Sequence, residues 1–217
     1  AASFISSISE KKSDLQNERF FSNLRIRNKE KSFLPGLVIV GSYLELSSIQ
    51  LKNLLEISNC KPIELDVFEF FKITTSENNQ ERRNLFKNKF LREIRFSFEQ
   101  GKTPVLFTSR KFMSLNYSEQ FNFYNSLAFF IAELVADLKY EIGYLISKGG
   151  ITTNVILSNG LNADYVYLEG QISTGISVVT YNLKNDEKLP IVTHPGNIGT
   201  KDSLINIWKV LENKNNF

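Results

Sequence analysis

Residues 144–161 read YLISKGGITTNVILSNGL, in which an apolar strand pattern passes through Gly149 and Gly150 directly into a helical pattern. A helix that starts straight after a strand leaves backbone N–H groups unbonded in its first turn, and these groups attract anions. The stretch is therefore a candidate phosphate-binding corner, to which Thr152 adds a hydroxyl group. A tight strand-to-helix turn without a ligand is the alternative interpretation, and turn chemistry alone favours it.

The alternation of strand and helix extends outward from this stretch over most of the chain. Residues 37–43 read LVIVGSY, a continuous β-branched run typical of a strand that is buried on both faces of a parallel sheet. Three more strand patterns, KPIELDV, TPVLFTS and GYLIS, are separated by amphipathic helical patterns. The sequence therefore predicts an α/β fold with three αβα layers and a largely parallel sheet. Beyond Asn162 the strand patterns follow each other closely, which predicts a mixed edge of the sheet.

In folds of this kind, ligands bind beyond the carboxyl ends of the parallel strands. That rule selects four segments, which are 41–42, 108–110, 148–152 and the turn HPGNIG at 194–199. In the last segment Gly196 and Gly199 flank Asn197, and their bare backbone would let a base or a phosphate approach closely. A plain loop before the final helix is the alternative, and spacing alone favours it.

Composition excludes several classes of protein. The 217 residues include 42% hydrophobic and 23% charged side chains, which is ordinary for a globular domain. The net charge of +3 is too small to predict nucleic-acid binding. One cysteine and one histidine exclude a disulfide framework and a Cys/His zinc site, so we expect a cytoplasmic protein. No apolar run is long enough to predict a membrane span.

Other candidate motifs carry less weight. The glycine corner has neither the spacing of a Walker A loop nor that of the dinucleotide fingerprint. His194, the sole histidine, is interpreted as a polar loop residue rather than a proton carrier, because no partner carboxylate is evident. Glu64 and Asp66 could bind Mg²⁺ through water, although surface carboxylates at a strand end explain them equally well.

Five segments in order, GSYLELS, TSR, GGITT, GQISTGIS and HPGNIG, together carry a resemblance. Their order and spacing resemble the G-S-C-S-P-x-T, T-S-R, G-G-[DE]-T-A, G-E-x-x-P-G-V-P and K-S-G-N-F-G segments of one family. This is the C-terminal nucleotide-binding domain of the four-carbon acid sugar kinases, which phosphorylate erythronate- and threonate-type acids with ATP. The resemblance runs from Leu37 to the end of the chain.

The resemblance implies that ATP, with Mg²⁺, is bound at matching positions, which are Ser42, Gly149, Gly150, Ile151, Thr152, Gly196, Asn197 and Gly199. It implies that residues 34–217 form the nucleotide-binding domain. Residues 1–33 would be a remnant and linker from a missing N-terminal domain that holds the sugar acid. Because phosphoryl transfer needs donor and acceptor held in line, this chain alone is not expected to turn over, and no catalytic residue is assigned.

Three departures from the family pattern support a rival hypothesis. Leu44 replaces a serine, Ile151 replaces the acidic residue of the glycine corner, and His194-Pro195 replaces Lys-Ser. Losing the acidic residue removes a contact for Mg²⁺ or water beside the phosphates. The chain would then be a degenerate, inactive relative that serves as a structural or regulatory binding module. Under either hypothesis we expect no nucleic-acid or membrane partner, and a homodimer is a candidate assembly.

Overall fold

The computed structural model describes residues 18–75, 79–110 and 116–213. The strands are β1 (Gly36–Val40), β2 (Cys60–Leu65), β3 (Thr103–Thr108), β4 (Tyr144–Lys148), β5 (Tyr167–Ser173), β6 (Ile176–Asn182) and β7 (Lys188–His194). The helices are α1 (Glu18–Asn23), α2 (Glu45–Leu55), α3 (Val67–Thr74), α4 (Asn79–Glu99), α5 (Tyr117–Leu138), α6 (Gly150–Val155) and α7 (Ser203–Leu211). A π-helical turn, Ile156–Gly160, continues α6.

All described strands join one sheet in the order β2-β3-β1-β4-β7-β6-β5. The first five of these strands run parallel, whereas β6 is antiparallel to both β7 and β5. In the centre of the sheet, Val38 of β1 lies opposite Val105 of β3 on one side and Ile146 of β4 on the other. The predicted three-layer fold, with its largely parallel sheet and mixed edge, is confirmed.

The strand β1 shows why the apolar run in the sequence forms the centre of the sheet. Leu37 and Ile39 point into a core shared with α3, α4 and α5. Val38 and Val40 point into the opposite core, where α2 and α7 pack and where Trp208 is buried. Side chains of a strand alternate between faces, so only an uninterrupted apolar run can supply both cores.

The two faces receive their helices in a pattern that creates a crevice. After β1 the chain enters α2 on one face, and after the neighbouring strand β4 it enters α6 on the other face. Neighbouring strands whose connections diverge in this way form a topological switch point, beyond which α/β folds bind ligands. The crevice lies between residues 41–44 and 149–151.

The segment before β1 packs on the domain, although the sequence interpretation treated it as a linker. Ile26 N donates to Gly143 O over 3.0 Å, and Phe21 is buried in the core on the α7 side. Arg25 forms an ion pair with Glu212 at 3.1 Å. Residues 1–17 lie outside the described residues, and the proposed division at residue 33 stays a prediction.

The helices that the structure describes include none that is both long and apolar enough to cross a bilayer.

Candidate functional site

The turns after β1, β4 and β7 meet at the carboxyl edge of the sheet. Gly149 N donates to His194 O over 2.9 Å. This bond joins the glycine corner to the start of the turn at 194–199, called the late turn below. Gly41 N and Ser42 N both donate to Lys148 O, over 3.0 and 3.2 Å. Three of the segments that the sequence selects are therefore held together by backbone hydrogen bonds.

Close packing explains two of the glycines at this junction. A Cβ atom on Gly41 would lie 2.1 Å from Thr152 Oγ1, so the threonine hydroxyl packs directly over the bare backbone. Gly149 has a φ of +126°, which disfavours any other residue, and it faces Ser42 N. These two glycines serve the contact between β1, β4 and α6.

Gly150 differs from both, because a Cβ atom there would meet no atom within 4 Å. Its backbone therefore faces open space at the first residue of α6. Thr153 N makes the first intrahelical bond, to Gly149 O, so the N–H groups of Gly150, Ile151 and Thr152 precede that bond. The first turn of α6 is therefore the part of the predicted phosphate-binding corner that an anion can approach.

The turn that follows β7 also reaches the site, but its glycines face protein. A Cβ atom on Gly196 would lie 2.4 Å from Ser42 Oγ, and one on Gly199 would lie 2.4 Å from Ser203 Oγ. Ser47 Oγ donates to Gly196 O over 2.8 Å. Packing against these serines accounts for both glycines without a ligand, while Asn197 is exposed.

A buried lysine directly precedes the glycine corner, and its side chain reaches the turn after β7. Lys148 has no exposed surface, and its Nζ lies 3.0 Å from Pro195 O, 3.4 Å from Gly196 O and 3.2 Å from His194 Nδ1. No described carboxylate lies within ion-pairing distance of it. Burial lowers the pKa of Lys148 to about 8. The sequence selects Lys148 as part of the segment 148–152 but assigns no role to this lysine, which ends an otherwise apolar strand.

His194 is the last residue of β7 and is buried, so its interpretation as a polar loop residue is wrong. Burial, and then the charge of Lys148, lowers the pKa of His194 to about 4, which keeps the imidazole neutral near pH 7. Its Nε2 atom has no hydrogen-bond partner within the described residues. The turn pattern HPGNIG in the sequence concealed the fact that β7 continues as far as His194.

Two cavities flank the start of α6. The larger, of about 430 Å³, is lined by Gly150, Thr153, Asn154, Leu157, Gly175, Ser177, Thr193, His194 and Pro195. It therefore brings together residues of GGITT, GQISTGIS and HPGNIG. The smaller, of about 220 Å³, lies between α6 and α5 and is mainly apolar and aromatic, with Tyr43, Phe121, Tyr124 and Leu127 beside Gln120 and Asn125.

Ile151 stands on the rim of the smaller cavity, where it is 65% exposed. The side chain therefore lines the opening instead of filling the gap between the glycine corner and the late turn. An apolar side chain at this exposed place offers nothing to bind a cation or to order water. The corner retains its backbone donors but lacks the carboxylate that the family pattern has there.

The described residues contain no cluster of candidate metal ligands. They contain no group of three or more His, Cys, Asp or Glu side chains that could hold an ion. Asp66, one of the two carboxylates considered for Mg²⁺, instead caps α3 by accepting from Phe68 N and Glu69 N.

Comparison with solved structures supports the fold. A domain of unknown function (DUF1537) from Bordetella bronchiseptica, with bound citrate in a domain-swapped dimer, matches at a TM-score of 0.62 and 19% identity. The match covers 82% of this chain and 41% of that one. A Salmonella typhimurium LT2 protein, provisionally named a tRNA synthase, matches at a TM-score of 0.63 and 18% identity, over 80% and 40% of the two chains. This chain thus spans less than half the length of these neighbours.

A search of curated protein sequences finds no match. The family model described as "Nucleotide-binding C-terminal domain" matches residues 37–204, which is most of the chain and includes all five segments of the resemblance. The chain therefore belongs to the family of nucleotide-binding C-terminal domains, the domain that the four-carbon acid sugar kinases carry at their C-terminal end.

Proposed function

We propose that this chain is the ATP-binding domain of a kinase that phosphorylates a four-carbon sugar acid of the threonate or erythronate type. The observation that carries the proposal is the open backbone at Gly150 together with the buried Lys148, two residues earlier, which pairs with no described carboxylate. Unbonded N–H groups and a buried cation at the switch point form a site for a polyanion. Family membership supports the choice of a nucleotide.

In this proposal the phosphates lie over the first turn of α6, between Gly150 and Ser42. The N–H groups of Gly150 and Ile151 donate to phosphate oxygens, and the Thr152 hydroxyl stabilises the corner by packing on Gly41. The smaller cavity is lined by residues of GSYLELS, TSR and GGITT, whereas the larger one reaches the turn at 194–199, so the adenosine is placed in the larger cavity. The turn at 194–199 borders that cavity through Pro195.

Lys148 contributes through its field and not through contact, since its side chain is buried. It also donates to the carbonyl groups of Pro195 and Gly196, and this holds the late turn against the corner. A phosphate nearby would favour the charged form of Lys148, whose pKa is about 8 in the free protein. Nucleotide affinity should therefore fall as the pH rises through 8, a range in which the phosphates keep their charge.

Phosphoryl transfer itself requires an acceptor, and the proposal places that acceptor on an N-terminal domain. The described residues contain no group of three or more His, Cys, Asp or Glu side chains that could hold an ion, and the proposal assigns no protein ligand to the Mg²⁺ that accompanies ATP. What this chain does is bind and orient the donor. Positioning of donor and acceptor provides much of the catalysis in such reactions.

Calorimetric titration of the purified chain with Mg-ATP tests the proposal. We expect heat of binding and a rise in melting temperature at millimolar nucleotide, both weaker at pH 9 than at neutral pH. The absence of both signals at millimolar ATP would refute nucleotide binding by this chain. Lys148→Met is the companion variant, and its residual affinity should no longer depend on pH in this range.

Ile151 favours one rival function, a degenerate relative that binds as a structural or regulatory module. Its exposed apolar side chain stands where the family pattern has a carboxylate. Ile151→Asp separates the two functions, because a relic site should gain affinity for Mg-ATP from the restored carboxylate. An intact divergent site should show no gain, and Ile151→Asn controls for the change in polarity.

A further inference from the structure

Arg110, two residues beyond the end of β3, uses only part of its guanidinium group within the fold. Its Nη1 donates to Ser42 O over 2.6 Å, which holds the side chain beside the turn after β1. Its Nε and Nη2 atoms are buried and have no hydrogen-bond partner within the described residues. A buried donor left unpaired destabilises the fold, and more so when it is charged. Such a group needs an explanation beyond packing.

The two unpaired nitrogens are on the same edge of the guanidinium plane. Nε–H and one N–H of Nη2 point in parallel, and this pair forms two hydrogen bonds with a carboxylate or a phosphate group. Nη1 lies on another edge and is engaged with Ser42. The edge that the fold leaves unused is therefore the one suited to an oxyanion.

No described carboxylate pairs with Arg110. Burial lowers the pKa of Arg110, and the charge of Glu64, near the end of the neighbouring strand β2, opposes this to a smaller extent. None of the ion pairs among the described residues includes Arg110. Arg110 and the buried Lys148 are thus two cationic side chains next to the crevice that pair with no described carboxylate.

The position of Arg110 along the sheet indicates what it meets. In the strand order β7-β4-β1-β3, the larger cavity lies at β7 and β4, the glycine corner follows β4, Ser42 follows β1, and Arg110 follows β3. A nucleotide that starts in the larger cavity and crosses the corner therefore has its far end directed towards Arg110. An acceptor in line with that end would meet the same guanidinium.

We propose that the Nε/Nη2 edge of Arg110 binds an oxyanion in this crevice, either the terminal phosphate of the nucleotide or a carboxylate of the acceptor. The identity of the ligand rests on the proposed function, whereas the unused edge of Arg110 is observed independently of it. Arg110 is half-buried as a whole.

Binding of separate probes tests the assignment and distinguishes the two sources. The wild-type chain, Arg110→Met and Arg110→Lys would be titrated with ATP, AMP, inorganic pyrophosphate and threonate, with Arg95→Met as a matched control. Arg95 pairs with Glu141 on the exposed surface and lines neither of the two cavities beside α6. Losing a bidentate charged contact should weaken binding about tenfold or more.

A loss for ATP and pyrophosphate, with AMP unchanged, supports the terminal phosphate as the ligand, and a loss confined to threonate supports the carboxylate. Arg110→Lys should bind almost as weakly as Arg110→Met, because lysine keeps the charge but not the fork. If Arg110→Met binds every probe as the wild type does, the inference is wrong while nucleotide binding stands. It is also wrong if the wild type binds neither pyrophosphate nor threonate.

Another combination of binding results would refute the proposed function without refuting this inference. A wild type that does not bind ATP, but binds pyrophosphate or threonate through Arg110, refutes the proposed function and leaves this inference in place. Thermal melting checks that the variants fold. Arg110→Met loses the bond to Ser42 O but also removes two buried unpaired donors, so its melting temperature should stay near that of the wild type, whereas an arginine with all its donors paired in the fold would lower it on removal.

Discussion

At the scale of single residues, the candidate site depends on glycines that look alike in the sequence but face different surroundings. Gly41 lies under the Thr152 hydroxyl, whereas Gly150 faces open space. The sequence predicted both positions from their place after a strand. It could not predict which one packs and which one is open, because the contact joins residues more than a hundred positions apart.

Alanine substitutions should separate these two roles. Gly41→Ala places a Cβ atom 2.1 Å from Thr152 Oγ1 and should destabilise the fold by about 1–3 kcal/mol. Gly150→Ala meets no atom and should leave the free energy of unfolding nearly unchanged, while it narrows the approach to the backbone and weakens nucleotide binding. Urea unfolding and calorimetry measure the two effects. Equal destabilisation by both variants would contradict the packing described for Gly41.

His194 offers a second residue-scale prediction, because it is the sole histidine. Its pKa is about 4 in the fold against an ordinary value of 6.5, so the unfolded chain takes up a proton first as the pH falls. Stability from this group is therefore complete above pH 6.5 and is lost progressively towards pH 4, by roughly 3 kcal/mol in total.

Urea unfolding measured at several pH values checks the expected loss. The variant His194→Asn should unfold with a smaller pH dependence between pH 6.5 and about 5, above the range in which most carboxylates titrate. An unchanged pH dependence in His194→Asn would show that another group is responsible. The buried imidazole could not be anticipated from the HPG turn, since burial here comes from the pairing of β7 with β4.

At the scale of elements, the sequence predicted the parallel strands well and missed two short helices, α1 and α3. The pattern KPIELDV was interpreted as one strand, but β2 ends at Leu65 and α3 begins at Val67. A signal was present, because Asp66 is followed three residues later by Glu69, as in a capping box. Val67 and Phe68 extend the apolar pattern of the strand, and this concealed the change from a strand period to a helical period.

The cap of α3 gives the element-scale prediction. Asp66 accepts hydrogen bonds from Phe68 N at 2.8 Å and Glu69 N at 3.1 Å, so Asp66→Ala should destabilise the protein by about 1 kcal/mol. Asp66→Asn keeps an acceptor and should recover most of that loss. Urea unfolding of the three proteins measures the difference. An Asp66→Asn variant as unstable as Asp66→Ala would mean that the charge, and not the cap, matters.

At the scale of the whole molecule, pattern and composition predicted the class of the fold but not the order of its strands. Strand order is decided by contacts between distant segments, such as β4 with β7, and no local pattern records them. The same limit applies to the segment before β1. A polar composition suggested a linker, whereas a few anchoring contacts, from Phe21, Arg25 and Ile26, hold it on the domain.

Arg25 provides the prediction that tests this view of the domain. It pairs with Glu212 at 3.1 Å in a largely buried setting, where Glu212 also accepts a hydrogen bond from Tyr144 Oη at 2.7 Å. Removing one member of such a pair leaves an uncompensated charge, so Arg25→Ala should cost roughly 3 kcal/mol. Arg95→Ala breaks an exposed pair with Glu141 and should cost less than about 1 kcal/mol.

Chemical unfolding of both variants, beside a chain that begins at residue 34, completes the test. If the segment belongs to the folded unit, the shortened chain should be at least as unstable as Arg25→Ala, because it also loses Phe21 and Ile26 from the core. A shortened chain as stable as the full one would restore the linker interpretation. In the first case the domain starts before residue 34, since the segment then contributes to the same cooperative unfolding as the sheet.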